Sequence, residues 1–265
     1  MPDWIAVILL GIIEGVTEFL PVSSTGHLLI AERMGWLPHQ SELFNVVIQC
    51  GAVLAVLLVF FRRAQSLVVG WREPVNRDYL VKLLVAFLIT GVAGLLIKKL
   101  GLIKLDDASV NPVLWATLIG GILILAIEWM LKGKTGTSEI TWRIALMVAA
   151  GQLLAMVFPG TSRSGATILI ALAMGVNRPA ATEFSFLLGI PTLLAAGAYE
   201  IFSAIRHHEA GNENWPMVLL GSVAAMITAF IVVKWLLRFV QTHTFTVFGW
   251  YRIALGIALL FLVMR

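Results

Sequence analysis

Long apolar runs without period-2 alternation dominate this chain, and short polar connections separate them. In hydrocarbon only helices and closed barrels satisfy their own backbone groups. A crossing helix takes about 20 mostly apolar residues, so the pattern predicts helices. Uninterrupted spans read at about 43–61, 80–97, 112–131, 183–203, 216–236 and 246–264 predict six crossings. Two other segments, 4–34 and 143–175, are apolar helices broken near their middles by Pro, Gly and hydroxyl residues, as PVSSTGH from Pro21 to His27 and PGTSRSGAT from Pro159 to Thr167. Irregular backbone at membrane depth is tolerated only where protein or a water-filled cavity surrounds it. Each broken segment is therefore read as a re-entrant helical hairpin.

The two hairpins resemble one another. Ser23, Thr25 and Gly26 match Ser162, Ser164 and Gly165; each stretch runs on to Met-Gly, at 34–35 and 174–175, and then to Glu42 or Glu183. The chain thus divides into repeats of about 1–131 and 143–265 within one integral membrane domain. Each repeat holds a hairpin and three crossings, and because three is odd the second is inverted. The predicted fold class is an all-α polytopic membrane protein with six transmembrane helices and two re-entrant hairpins in an inverted-topology repeat. That architecture is associated with sites at the repeat interface.

Composition agrees: 59% of the residues are hydrophobic, 13% are charged and the mean hydropathy is +0.92, so the solvent is lipid. The net charge of +4 does not indicate nucleic acid, because the basic residues are spread through short loops. With both termini outside, the inner segments hold Arg62, Arg63, Arg72, Arg77, Lys82, Lys132, Lys134, Arg143, Arg178, Lys234 and Arg238 against Arg33, Lys98, Lys99, Lys104, Arg206 and Arg265 outside, a bias that favours this orientation. Met1–Leu20 lacks a basic leader and contains Glu14 and Glu18, so it is not read as a signal peptide. Cys50 is the single cysteine and is read as a small core residue.

Ionisable groups inside a membrane are expensive and point to function. Glu14 and Glu18, four apart, project from one helix face. Two such carboxylates need a cation or a shared proton between them, and oxygen ligands suit Mg²⁺ or Ca²⁺. Ser23, Ser24, Thr25 and His27 follow, offering nucleophile and base, while either Ser23 or Ser24 can also serve as the N-cap of the next helix. In the second hairpin Arg163 lies between Ser162 and Ser164, with Thr167 behind it and Gly160 and Gly165 opening the backbone. Hydroxyls, helix-start N–H groups and a guanidinium fork together form an anion cradle. The plainer alternative is that Arg163 only neutralises Glu14 or Glu18, which also brings the hairpins together. Glu128 and Glu200 near span ends are read as interfacial or structural, Arg252 as snorkelling from its helix, and Glu42 and Glu183 as shaping the repeats.

The pairing of EGVTEFLPVSSTGH at 14–27 with PGTSRSGAT at 159–167 resembles the undecaprenyl-diphosphate phosphatase family, the bacterial bacitracin-resistance proteins. The likeness spans the chain, including EFSFL at 183–187. It implies a metal-dependent hydrolase, supported by Mg²⁺ or Ca²⁺, that removes the terminal phosphate of a C55 polyprenyl diphosphate to regenerate the monophosphate carrier for peptidoglycan and other envelope polymers. It also implies a homodimer-capable protein of the bacterial cytoplasmic membrane, with its site open to the periplasm or cell exterior. Carried over by motif, the acidic pair is Glu14 and Glu18, the proposed nucleophilic serine Ser24, the histidine His27 and the phosphate-binding arginine Arg163. A second lipid-phosphatase superfamily has a segment like Ser24 to His27, but it needs a further His and Asp after its Ser-Arg, and no His occurs between Arg163 and His207. The residues alone leave Ser24, His27 and water open as nucleophile. A lipid flippase or other alternating-access carrier fits the same repeat architecture.

Overall fold

The computed structural model describes residues 2–100, 110–207, 211 and 213–263; the last residue of the sixth predicted span, 264, lies outside them. Among the described residues eleven helices follow one another: α1 (Asp3–Thr17), α2 (Ser24–Arg33), α3 (Glu42–Val59), α4 (Phe61–Val69), α5 (Pro74–Lys99), α6 (Val110–Met130), α7 (Trp142–Val157), α8 (Arg163–Ala173), α9 (Arg178–Arg206), α10 (Trp215–Thr242) and α11 (Thr246–Val263). An isolated bridge between Thr137 and Val176 is the one extended pairing among them. Five helices, α3, α5, α6, α9 and α10, are long and apolar enough to cross a membrane. α11 is equally apolar but shorter over the residues whose side chains are described. Many large apolar side chains face outward, such as Leu84, Val92, Ile119 and Ile231, as expected of a surface that meets lipid.

Helix starts follow ordinary capping chemistry. Ser41, Thr141, Asn177 and Asn214 accept from the third residue onward and so satisfy N–H groups that a helix start leaves unpaired. The short α4 was not foreseen from the sequence. It carries Arg62 and Arg63 beside exposed Phe61, Val68 and Val69, an amphipathic helix rather than a loop.

Where lipid removes the hydrophobic drive between helices, close backbone approach takes over. α1 lies on α10 and α10 on α3, and small residues make this fit. A Cβ at Gly15 would come within 2.5 Å of the Ala225 carbonyl oxygen, and Cβ atoms at Gly11 and Gly51 would overlap the carbonyls of Gly221 and Ser222. The obstacle is rigid helix backbone, so Gly15→Val is expected to destabilise by about 1–3 kcal/mol, read as a lowered Tm of the purified protein in detergent.

Buried polar residues tie the bundle. Glu128, 5% exposed, pairs with Arg178 and accepts from the Phe245 N–H at 2.7 Å, linking α6, α9 and the start of α11. Glu183 binds Arg63 at 2.9 Å and meets the Tyr79 hydroxyl, joining α9 to α4 and α5. Arg252 corrects its sequence reading: it does not snorkel but is 1% exposed, held among backbone carbonyls.

Candidate active site

The two helix breaks meet. α1 stops at Thr17, and Glu18 caps it with its N–H on the Glu14 carbonyl. The chain then turns through Phe19 to Val22 into Ser23, whose φ of 72° is left-handed although it is not glycine. Ser23 is the N-cap of α2, accepting from the Gly26 N–H at 3.3 Å. In the second hairpin Ser162 has φ 68° and caps α8 by accepting from the Gly165 N–H at 3.1 Å. Of the two serines the sequence allowed as first cap, Ser23 takes the role and leaves Ser24 free.

The hydroxyl of Ser24 donates to Glu18 Oε2 at 2.9 Å. The other oxygen of that carboxylate, Oε1, accepts from Arg163 Nη2 at 3.4 Å. Glu18 therefore bridges the hairpins, with a hydroxyl on one side and a guanidinium on the other. Glu14, one turn earlier on the same helix and 2% exposed, lies beside Glu18 and Gln49 of α3. Two carboxylates this close call for a cation or a shared proton between them.

Arg163 is held without being used up. Its guanidinium lies 5.7 Å over the Phe19 ring, which packs edge-on against Phe186 at 5.2 Å. α9 makes room for it at Gly189, where any Cβ would overlap Nη1. Yet Nε and Nη1 are buried with no hydrogen-bond partner. Unpaired donors of a buried cation are costly, and a bound anion would satisfy them.

Glu18, Ser23, Ser24, Thr25, Gly160, Ser162 and Arg163 line one cavity of about 230 Å³. The remaining residues picked from the sequence lie elsewhere. The Ser164 hydroxyl donates to the Leu20 carbonyl at 3.0 Å and so fastens one hairpin to the other, while Thr167 sits 2.5 Å from the Ser185 hydroxyl and bonds its own helix, fastening α8 to α9. His27 turns away toward α11: Nδ1 donates to the Ser23 carbonyl at 2.7 Å and Nε2 meets the Tyr251 hydroxyl at 2.6 Å. The sequence reading missed Gln49, Thr90 and Gln152, three more side chains lining the cavity. The Gln152 amide donates to the Thr90 hydroxyl at 3.0 Å and leaves its carbonyl oxygen unpartnered. Each is a polar group within an apolar run, the signal that singled out the carboxylates.

A hydroxyl on a carboxylate beside a guanidinium with unspent donors, all within apolar helices, is the equipment of a membrane-embedded phosphoryl-transfer site. Comparison with known proteins agrees with this class. Residues 7–258 match the family described as bacitracin resistance protein BacA, and the chain belongs to that family. A protein of Rhizobium etli named undecaprenyl-diphosphatase is 52% identical over 97% of this chain and 96% of its own length. Proteins of the same name from Xylella fastidiosa and Xanthomonas euvesicatoria are each 49% identical over 98% of this chain, and 98% and 97% of theirs.

Proposed function

We propose that this chain hydrolyses undecaprenyl diphosphate to the monophosphate carrier and inorganic phosphate, with Ser24 as nucleophile and Glu18 as its base. The observation that carries the reading is the 2.9 Å hydrogen bond from Ser24 to Glu18, beside the unpaired Nε and Nη1 of Arg163. Ser24 Oγ attacks the terminal phosphorus and its proton passes to Glu18. The bridging P–O bond breaks, releasing the lipid monophosphate, and water then cleaves the phosphoserine. Arg163 Nε and Nη1 hold the oxygens on which charge builds, and the first-turn N–H groups of α2 and α8 add donors from both helix starts.

The residues present fit a divalent cation. No group of three or more His, Cys, Asp or Glu occurs together among the described residues, but Mg²⁺ commonly takes one or two carboxylates and completes its shell with water and substrate phosphate. Glu14 and Glu18 would hold it, and it would neutralise phosphate charge.

The same proposal includes six crossings with α1–α2 and α7–α8 as re-entrant hairpins in an inverted repeat. Matched packing supports it: α1 and α3 lie on α10, α7 and α9 on α5, and α6 on α11. The left-handed serine caps of α2 and α8 are a second match. The lipid tail would lie against helices facing the bilayer, with the site open to the outer side of a bacterial cytoplasmic membrane. Homodimerisation, implied by the resemblance, is kept within this proposal.

The test is phosphate release from a polyprenyl diphosphate by the purified protein in detergent. Release that EDTA abolishes is the expected result, and no release by wild type would overturn the reading. Gly189→Ala offers a finer check. The three atoms nearest its methyl all belong to the Arg163 guanidinium, the far end of a long side chain rather than backbone, so the fold is expected to survive while kcat falls by about 10²-fold, as misplacement by about 1 Å does.

A further inference from the structure

Ser23 sits in a left-handed backbone region that non-glycine residues rarely adopt, with φ 72° and ψ 101°. Such a conformation persists only where its surroundings over-determine it. The restraint here comes from α11. Arg252 Nη1 donates to the Pro21 carbonyl at 3.4 Å, two residues before Ser23. Tyr251 meets His27 Nε2 at 2.6 Å, and His27 Nδ1 reaches the Ser23 carbonyl at 2.7 Å. A carbonyl only accepts, so Nδ1 carries the proton and Nε2 accepts from the tyrosine. The two rings are nearly parallel, 7° apart in plane with centroids 5.5 Å apart.

The same arginine holds the other break. Its Nη1 also donates to the Thr161 carbonyl at 3.0 Å and Nη2 to that of Gly160 at 3.0 Å, while Ala116 and Thr117 of α6 accept from Nη2 and Nε. Five N–H donors thus face five backbone carbonyls, and two breaks distant in sequence are referred to one rigid fork. Gly120 makes space for that fork, since a Cβ there would overlap Nη2.

We propose that Tyr251 and Arg252 form a positioning clamp that acts through His27 and the two turns to fix Ser24 against Glu18 and Arg163. His27 is then a link in the clamp rather than the nucleophile or the base. The inference rests on the reading of Ser24 as the attacking group, but its hydrogen-bond chain can be observed without turnover.

Tyr251→Phe removes one oxygen and keeps the ring stack. Phosphate release by the full chain in detergent is expected to lose about 10- to 100-fold in kcat, with KM changed less than about twofold, the effect of losing a supporting hydrogen bond. ¹⁵N spectra of histidine-labelled protein supply the second readout; the chain has five histidines, and His27→Gln assigns the signal. Wild type is expected to show His27 as the Nδ1–H tautomer with a hydrogen-bonded Nε2, and Tyr251→Phe to shift the Nε2 resonance alone. An active wild type whose Tyr251→Phe variant keeps full kcat would overturn the clamp, as would a wild-type His27 protonated at Nε2 only. A wild type that releases no phosphate would overturn the functional reading instead, and the tautomer would still decide whether the chain of hydrogen bonds exists.

Discussion

Arg163→Ala is expected to lower kcat/KM for polyprenyl diphosphate by about 10³-fold, the scale on which arginines contribute to phosphoryl transfer. Nη2 binds Glu18, and Nε and Nη1 have no other partner. The substitution therefore removes both the donors for the anion and the countercharge of Glu18. Arg163→Lys separates the two roles. A lysine restores the charge but not the planar fork, so the account expects it to recover less than a tenth of the lost activity. Glu18 loses its partner in Arg163→Ala, and unpairing a buried charge costs about 3–5 kcal/mol. Thermal stability measured alongside kinetics distinguishes unfolding from lost binding, and Arg163→Lys at wild-type Tm is the decisive comparison. Full activity in that variant would mean that charge alone matters at this position.

Glu18→Gln is the second large effect. The amide is nearly isosteric and can still accept from Ser24, but it cannot take a proton. Loss of a general base typically costs 10²- to 10⁴-fold, and the expected fall is about 10³-fold in kcat with little change in KM. Phosphate release at different pH values, with wild type and variant side by side, checks this. A Glu18→Gln protein that retained most of its kcat would exclude Glu18 as base and return attention to water activated elsewhere in the cavity.

Much of the site could be read from the chain because lipid makes polar residues conspicuous. Glu14, Glu18 and Arg163 stand out against apolar neighbours, and Pro21, Pro159 and Gly160 mark where their helices must break. Their meeting across 145 residues is the 3.4 Å contact between Arg163 and Glu18. Both readings of the arginine, as countercharge and as anion holder, draw on different atoms of one guanidinium. The conformations at Ser23 and Ser162 were not legible, since a positive φ at a serine is imposed by tertiary contacts rather than by its side chain. His27 and Arg252 show the same limit. An arginine in an apolar helix can snorkel or be buried, and the choice depends on whether carbonyls are waiting. For Arg252 they are supplied by two turns and by α6, none of them near it in sequence. Ser164 and Thr167 look like ligands for an anion because their type and spacing fit, but the hydroxyl of each has a partner within the protein. Gln49, Thr90 and Gln152 had the right signal and lacked only a motif to draw attention to them.

One phosphoryl-transfer site shared between the two hairpins requires that Glu18 and Arg163 act together. A double-mutant cycle on Glu18→Gln and Arg163→Lys measures that coupling, with phosphate release followed for wild type, both single variants and the double variant. Residues that act on the same transition state lose less together than the sum of their separate losses. A double variant little slower than the worse of the two single ones is expected. Losses that multiply fully, so that each residue acts without reference to the other, would contradict a shared site.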